Sequence, residues 1–273
     1  QISSRVAGAL RSLGIKTGDF VALMGDRRRE TIALLLGILK TGAAYVPVDR
    51  GHPQERINEI IRKSEAKLLI DFRWMESCTD LSEPISVLKS ESGHDQKETP
   101  DSDGYPGCGS KGAAYVIFTS GSTGKPKGVL ISMDAVMNTI YDINRRFHVT
   151  ADDVILGLSA MNFDLSVYDV FGAMTTGATI VMAEDIYDTE GIYHLAQKEK
   201  VTIWNSVPAL MQMLVIYQEE EYRAPLLEIR LIMLSGDWIP LSLPEKIRQY
   251  EPNANLYRCN CDSCYKKRIG QFR

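Results

Sequence analysis

Short runs of strand-forming apolar residues alternate with longer apolar-faced helical stretches. That order limits the available folds more than any other feature of the chain. Phe20-Val21-Ala22-Leu23-Met24 reads as a buried strand. Thr31 to Leu39 is almost wholly apolar, a helix buried on most of its surface that stops near Gly42, and Ala43-Ala44-Tyr45-Val46-Pro47-Val48-Asp49 is a second strand. Strand, apolar helix, strand is a βαβ unit, whose crossover makes its two strands parallel. A helix precedes it, with Ile2, Val6, Ala9, Leu10 and Leu13 at helical spacing and Gly14 as its stop. Another follows from His52, with Ile57, Ile60 and Ile61 on one side, and leads to a strand at Lys67–Ile70. Further on, strands are expected at 154–158, 179–182, 201–204 and 229–234, and helices at 135–143, 208–217 and 243–250. The expected fold is α/β, with mostly parallel sheets covered by helices.

A length of 273 residues is enough for a large core in one domain or two. Thirty-one basic against 35 acidic residues give a net charge of −4, with no basic stripe or Arg/Lys-rich helix, so nucleic acid is not an expected partner. Arg27-Arg28-Arg29 is too brief for a binding patch and reads as a solvated helix start. No apolar run reaches the length of a membrane span, and Gln1-Ile2-Ser3-Ser4-Arg5 is no signal peptide, so a membrane is not expected either. Three of the five cysteines fall in the last fifteen residues and make no secreted disulfide framework; the expected location is cytoplasmic. His52, His94, His148 and His194 are scattered without ligand spacing. The helix-like start without Met leads to the expectation of a fragment.

One stretch carries chemistry. Ala113 to Phe118 is strand-like and passes directly into Thr119-Ser120-Gly121-Ser122-Thr123-Gly124-Lys125-Pro126-Lys127-Gly128. A buried strand ending in such a loop presents backbone N–H groups, hydroxyls and ammonium groups together, as a polyphosphate requires. Gly121, Gly124 and Gly128 are expected to allow close approach and positive φ, and Pro126 to stiffen the loop. The P-loop pattern is absent, because Thr119 and Pro126 occupy its first Gly and its Ser/Thr. Composition alone leaves both a phosphate cradle and an ordinary surface loop open.

The ten residues from Thr119 to Gly128 resemble the signature loop of the adenylate-forming superfamily, which includes acyl-CoA ligases, luciferases and the adenylation domains of nonribosomal peptide synthetases. Leu39-Lys40-Thr41-Gly42-Ala43-Ala44-Tyr45-Val46-Pro47-Val48-Asp49, followed by Pro53-Gln54-Glu55-Arg56-Ile57, is similar to the early motif of the peptide-synthetase members. Where the family commonly has His after the loop, this chain has Met133. The resemblance implies the large N-terminal part of the adenylate-forming fold, incomplete at both ends. Its expected parts are 1–88, a polar linker at 89–112, and a second α/β part at 113–257 with phosphate loop and substrate pocket. An aberrant tail at 258–273 completes the division.

Asp164, between Phe163 and Leu165, reads two ways: as a helix N-cap, supported by Ser166, or as a partly desolvated anion that pairs with an ammonium ion. The segment resembles the Phe-Asp-x-Ser motif whose Asp holds the substrate's α-amino group. Carried across residue by residue, the resemblance implies a pocket of Asp164, Leu165, Tyr168, Asn205, Met233 and Ser235. That set looks like those of cysteine-activating domains, with Met233 where Leu is more usual. Ser235-Gly236-Asp237-Trp238-Ile239-Pro240 is similar to the form seen in thiazoline- and oxazoline-forming synthetases. A Tyr, an Asn amide, a Ser hydroxyl and a polarizable Met suit a small, weakly polar side chain such as a thiol. Serine, threonine and small apolar amino acids stay open.

The activity implied is attack of an amino-acid carboxylate on the α-phosphorus of Mg-ATP, then transfer of the aminoacyl group to the phosphopantetheine thiol of a carrier domain among neighbouring synthetase domains. Thr119, Ser120, Gly121, Ser122, Thr123, Gly124, Lys125, Lys127 and Gly236 are the implied nucleotide-binding residues. The resemblance stops at Tyr257. The Gly-rich turn whose Glu ligates Mg2+ is replaced by Arg258-Cys259-Asn260-Cys261-Asp262-Ser263-Cys264, and the C-terminal catalytic subdomain is missing. Three cysteines there fall short of a four-ligand zinc site; a shifted reading frame is the alternative. The fragment alone is expected to be inactive. An acyl- or aryl-CoA ligase, which needs no amine anchor, and a catalytically dead nucleotide-binding fragment are the competing readings.

Overall fold

The computed structural model describes residues 1–73, 112–120, 126–258 and 270–271. The chain forms two compact units, Gln1–Met137 and Asn138–Arg273.

In the first unit, β1 (Phe20–Met24), β2 (Ala44–Val48), β3 (Leu68–Ile70), β4 (Ala113–Ser120) and β5 (Pro126–Ser132) form one sheet in the order β3-β1-β2-β4-β5. β1 is parallel to β2 and β3, and β4 is parallel to β2. Helices α1 (Ile2–Ser12), α2 (Arg29–Thr41) and α3 (Gln54–Ser64) supply the connections and cover. α3 lays Ile57 and Ile60 on Ala22, Val46 and Val48, burying that face of the strands. α2 ends where expected: Gly42 takes φ +92°, and a Cβ there would lie 2.3 Å from Thr17 Oγ1.

β4 and β5 depart from the sequence expectation. Residues from Pro126 onward do not continue a loop; they form an antiparallel partner of β4, in register from Ser120↔Pro126 to Ala113↔Ser132. Proline is tolerated there because it opens an edge strand and needs no ladder donor. Gly128 has no positive φ. It faces Phe118 across the pair, and a Cβ on it would come within 3.1 Å of that ring and of Val116. Residues 113–132 thus complete the first sheet, whereas the sequence grouped them with the pocket elements. Backbone pairing to β2 decides this, and composition does not encode it. Residues 89–111 of the expected linker and Cys259, Cys261 and Cys264 lie outside the described residues.

The second unit contains the C-terminal part of α4 (Met133–Arg146) and a sheet of β6 (Val154–Gly157), β7 (Thr179–Met182), β8 (Ile203–Ser206), β9 (Leu231–Leu234), β10 (Asn255–Arg258) and β11 (Gly270–Gln271). The order is β11-β10-β9-β8-β6-β7, with β6 to β10 parallel and β11 antiparallel to β10. The crossovers are α5 (Leu165–Thr176), α6 (Thr189–Lys198), α7 (Pro208–Glu220) and α8 (Leu243–Tyr250). Leu156, Trp204, Ile232, Leu234 and Leu256 point to one face, where Ile192, Met211, Leu214 and Ile247 of α6, α7 and α8 close a buried cluster. The strands alternate, so Gly157, Asn205, Met233 and Tyr257 point to the opposite face.

A polar clasp fastens the N-terminal ends of these strands. Asp153, 4% exposed, accepts from Arg230 Nε at 2.8 Å and Nη2 at 2.6 Å, from Thr202 Oγ1 at 2.7 Å, and from the Thr150 N–H at 2.9 Å. Arg230 Nη1 donates to the Phe147 carbonyl at the end of α4. Burial pushes the Asp153 carboxyl up, but the bonds from Arg230, Thr150 and Thr202 outweigh it and hold the group below its usual range. Asp153, Thr202 and Arg230 immediately precede β6, β8 and β9, so one carboxylate sets where three strands begin.

Candidate active site

The phosphate-loop residues divide. Thr119 and Ser120 end β4, and Lys127 lies in β5 directly opposite Thr119. Thr119 and Lys127 are exposed, and Thr119 Oγ1 approaches the Lys127 carbonyl at 3.5 Å. Gly121, Ser122, Thr123, Gly124 and Lys125, which join the paired ends, lie outside the described residues.

The implied substrate residues all lie in the second unit. From β6 the chain first adds β7 on one side and then crosses to add β8 on the other. That reversal sends α5 to one face and α6 to the other and makes the C-terminal ends of β6 and β8 the switch point at which open α/β sheets bind ligands. Gly157 and Asn205 are register partners across it, and Asn205 pairs in turn with Met233 and Met233 with Tyr257. Asn205 and Met233 are buried. Ser235 follows β9, its N–H donating to the Ser206 carbonyl at 3.1 Å. Its hydroxyl is buried without a hydrogen-bond partner. Gly236 turns the chain with φ +84°, beside Val207 Cγ1.

α5 covers this row. Leu165 and Asp169, one turn apart, both meet Asn205: its Nδ2 donates to Asp169 Oδ1 at 2.8 Å and to the Leu165 carbonyl at 3.3 Å. Tyr168 turns elsewhere. Its hydroxyl donates to Asn144 Oδ1 at 3.0 Å, and Asn144 Nδ2 donates to the Gly172 carbonyl and Thr175 Oγ1. The ring lies over Gly172, where a Cβ would come within 2.8 Å of it.

Asp164 occupies the N-cap position of α5, but its side chain makes no capping hydrogen bond. Ser166 is committed instead to the Phe163 carbonyl at 2.6 Å. The capping role open in the sequence is therefore not the one observed. Burial raises the Asp164 carboxyl above its usual range, against a lowering from the Leu165 and Asp164 backbone. Such a half-buried carboxylate is suited to meet a cation.

Asp169 was not singled out from sequence. It is 2% exposed, and burial pushes it up to about 8, against lowering by the Asn205 amide and the Ser159 backbone. Its Oδ2 is buried without a hydrogen-bond partner. The available signal was a lone acid inside an otherwise apolar helix, four residues after Leu165. Among the described residues, no three His, Cys, Asp or Glu side chains gather to hold a metal ion, and no helix is long and apolar enough to cross a membrane.

Comparison with known proteins agrees with this architecture. Bacitracin synthase 1 of Bacillus licheniformis is 44% identical over 256 residues, which cover 93% of this chain and 4% of that protein. Pyochelin synthetase PchF of Pseudomonas aeruginosa is 37% identical over 267 residues, 94% of this chain and 14% of its relative. The chain therefore spans only a small part of these relatives. The crystal structure of the nonribosomal peptide synthetase FmoA3 in its alpha-methyl-L-serine-AMP bound form superposes with a TM-score of 0.77. It shares 33% identity and is covered over 29% of its length by 95% of this chain. The family described as AMP-binding enzyme matches residues 1–259. The parallel sheets, the strand reversal and this match lead to one conclusion: the chain belongs to the AMP-binding enzyme family and is homologous to the adenylation domains of nonribosomal peptide synthetases.

Proposed function

We propose that this chain supplies the substrate-binding part of an adenylation domain that activates a small amino acid with a polar side-chain end, L-cysteine first, as its aminoacyl-AMP. The observation that carries this reading is the row of Gly157, Asn205 and Met233 at the strand reversal, continued by the buried, unpartnered Ser235 hydroxyl. It offers an amide, a thioether and a hydroxyl within an otherwise apolar wall, a lining suited to a thiol or hydroxyl. Alpha-methyl-L-serine, the aminoacyl part of the adenylate bound by FmoA3, ends in a small hydroxyl of the same kind.

In this reading Asp164 pairs with the α-ammonium group and so orients the substrate carboxylate, while Leu165 and Tyr168 shape the wall. ATP supplies the activated α-phosphorus. Thr119 and Lys127, a hydroxyl and an ammonium group on exposed residues paired across β4 and β5 next to the segment that joins them, fit the edge of a phosphate cradle. Ser120, Gly121, Ser122, Thr123, Gly124 and Lys125 complete it, and Gly236 lets the backbone approach the nucleotide. Mg2+ would accompany ATP and neutralise charge on its phosphates; the family resemblance gives its ligand to a Glu of the turn that Arg258–Cys264 replaces, and among the described residues no three His, Cys, Asp or Glu side chains gather to hold it. Transfer to a phosphopantetheine thiol belongs to a carrier domain and to neighbouring synthetase domains in the same proposal.

The test is binding of aminoacyl-sulfamoyl-adenosine analogues, stable mimics of aminoacyl-AMP, to the 273-residue chain across a panel of side chains. The cysteinyl analogue is expected to bind best. Asp164→Ala is expected to weaken it about 30-fold or more, the loss of a buried charge partner worth about 2 kcal/mol at least. Equal binding of an acyl analogue that lacks the α-amine, indifferent to Asp164→Ala, would favour an acyl-CoA ligase instead.

A further inference from the structure

We propose that Asp169 is a positioning residue that fixes the polarity of the amino-acid pocket, holding the Asn205 amide so that its oxygen faces the substrate side chain. The inference rests on the amino-acid-activation reading above and deepens it. Asn205 is 2% exposed on β8, at the point where the strand order reverses. Two groups face its amide nitrogen, Asp169 Oδ1 at 2.8 Å and the Leu165 carbonyl at 3.3 Å. A main-chain carbonyl is an acceptor in every protonation state, and a carboxyl keeps at least one acceptor oxygen. Both N–H groups are therefore taken up by α5, and the amide cannot reverse without setting oxygen against oxygen. Among the described residues nothing donates to Asn205 Oδ1.

The chemical consequence is a pocket wall that accepts. A thiol or hydroxyl donates to Asn205 Oδ1. A methyl group of the same size leaves that oxygen desolvated and unpaired, and a carboxylate oxygen meets it head-on. Ser235 Oγ, buried without a partner just after β9 and two residues beyond Met233, can both donate and accept, and in this proposal completes a donor-reading lining. Burial leaves Asp169 largely uncharged near neutral pH. Asp169 thus orients the amide without adding a second anion to compete with Asp164 for the ammonium group.

The experiment compares cysteinyl- and 2-aminobutyryl-sulfamoyl adenosine, which differ only in SH against CH3, by calorimetric titration of the 273-residue chain. Wild type is expected to prefer the cysteinyl analogue about tenfold, the worth of one neutral hydrogen bond. Asp169→Asn, which still offers an acceptor, keeps that ratio. Asp169→Leu, which offers none, brings it close to one. A packing role alone would weaken both analogues together and leave the ratio unmoved. If Asp169→Leu unfolds the chain, the ratio is read in Asp169→Ser, whose hydroxyl is too short to reach Asn205; it too should fall toward one. A leucine or serine variant that keeps the wild-type ratio overturns the proposal, as does a wild type that binds both analogues equally. Failure of wild type to bind any aminoacyl analogue would instead overturn the activation reading beneath it.

Discussion

Glu251 gives the clearest quantitative prediction. It ends α8 and is 1% exposed, with Oε1 accepting from Gln218 Nε2 at 2.8 Å and Oε2 from the Leu226 N–H at 2.9 Å. Burial pushes its carboxyl up to about 7, against lowering by these two neutral donors. An unfolded glutamate titrates near 4.3, so the folded chain holds a proton that the unfolded chain releases between about pH 4 and 7. The sign follows: stability is fully present below about pH 4 and declines as pH rises through about 7. The full separation of about 2.7 pH units corresponds to about 3–4 kcal/mol. Glu251→Gln removes the titration. Its amide still accepts from Leu226, and its NH2 can donate to Gln218 Oε1, which is buried without a partner, once the Gln218 amide turns over. The variant is expected to match wild type within about 1 kcal/mol at pH 4 and to exceed it by about 2–3 kcal/mol at pH 8. Urea titrations at several pH values, read by Trp204 fluorescence, measure the difference directly. Asp169 titrates in both proteins and cancels in the difference. A stability gap that is constant from pH 4 to 8, or that favours wild type as pH rises, would refute the reasoning.

Two further outcomes follow from packing and charge. Gly172→Ala is expected to destabilise by about 1–3 kcal/mol, because the new Cβ would lie 2.8 Å from the Tyr168 ring and push its hydroxyl off Asn144. Helix propensity alone would make the same change stabilising by about 1 kcal/mol, so the sign from thermal unfolding decides. Asp153→Asn is expected to lose about 1–3 kcal/mol at pH 7, allowing for solvent at the partly exposed Arg230. The folded Asp153 carboxyl is depressed, so its contribution is present above the unfolded value near 4 and fades as pH falls below it. Urea midpoints at pH 7 and pH 3 should converge for wild type and variant.

Much of the fold is legible because burial writes it into composition. The runs at Phe20–Met24, Ala44–Val48 and Leu231–Leu234 are apolar because parallel strands are covered on both faces, and β1, β2 and β9 form there. β5 is not legible, since its opening Pro-Lys-Gly is loop chemistry and only the ladder to β4 makes it a strand. α6 carried a signal that was passed over: Asp188 caps it through the Gly191 N–H, and Ile192, Tyr193 and Ala196 follow on one side. β10 is short and only partly apolar, and its identity comes from pairing with β9. In the candidate site, Asn205 and Ser235 lie just after predicted strands, but the choice of Asn205, Met233 and Ser235 rests on the family resemblance and not on strand pattern. Asp169 was not, because a buried acid within a helix acquires its meaning only when β8 sets Asn205 against it. Tyr168 shows the converse: the resemblance assigns it to the pocket, while its hydroxyl serves Asn144 of α4 and its ring lies over Gly172.

The clasp of Asp153, Thr202 and Arg230 lies at the head of strands whose far tips carry Asn205 and Ser235. The clasp and the candidate pocket residues thus stand at opposite ends of the same strands. Substitution at the tips leaves untouched the bonds at the roots that keep β6, β8 and β9 in step. A scaffold arranged this way can vary one end without relearning how to fold.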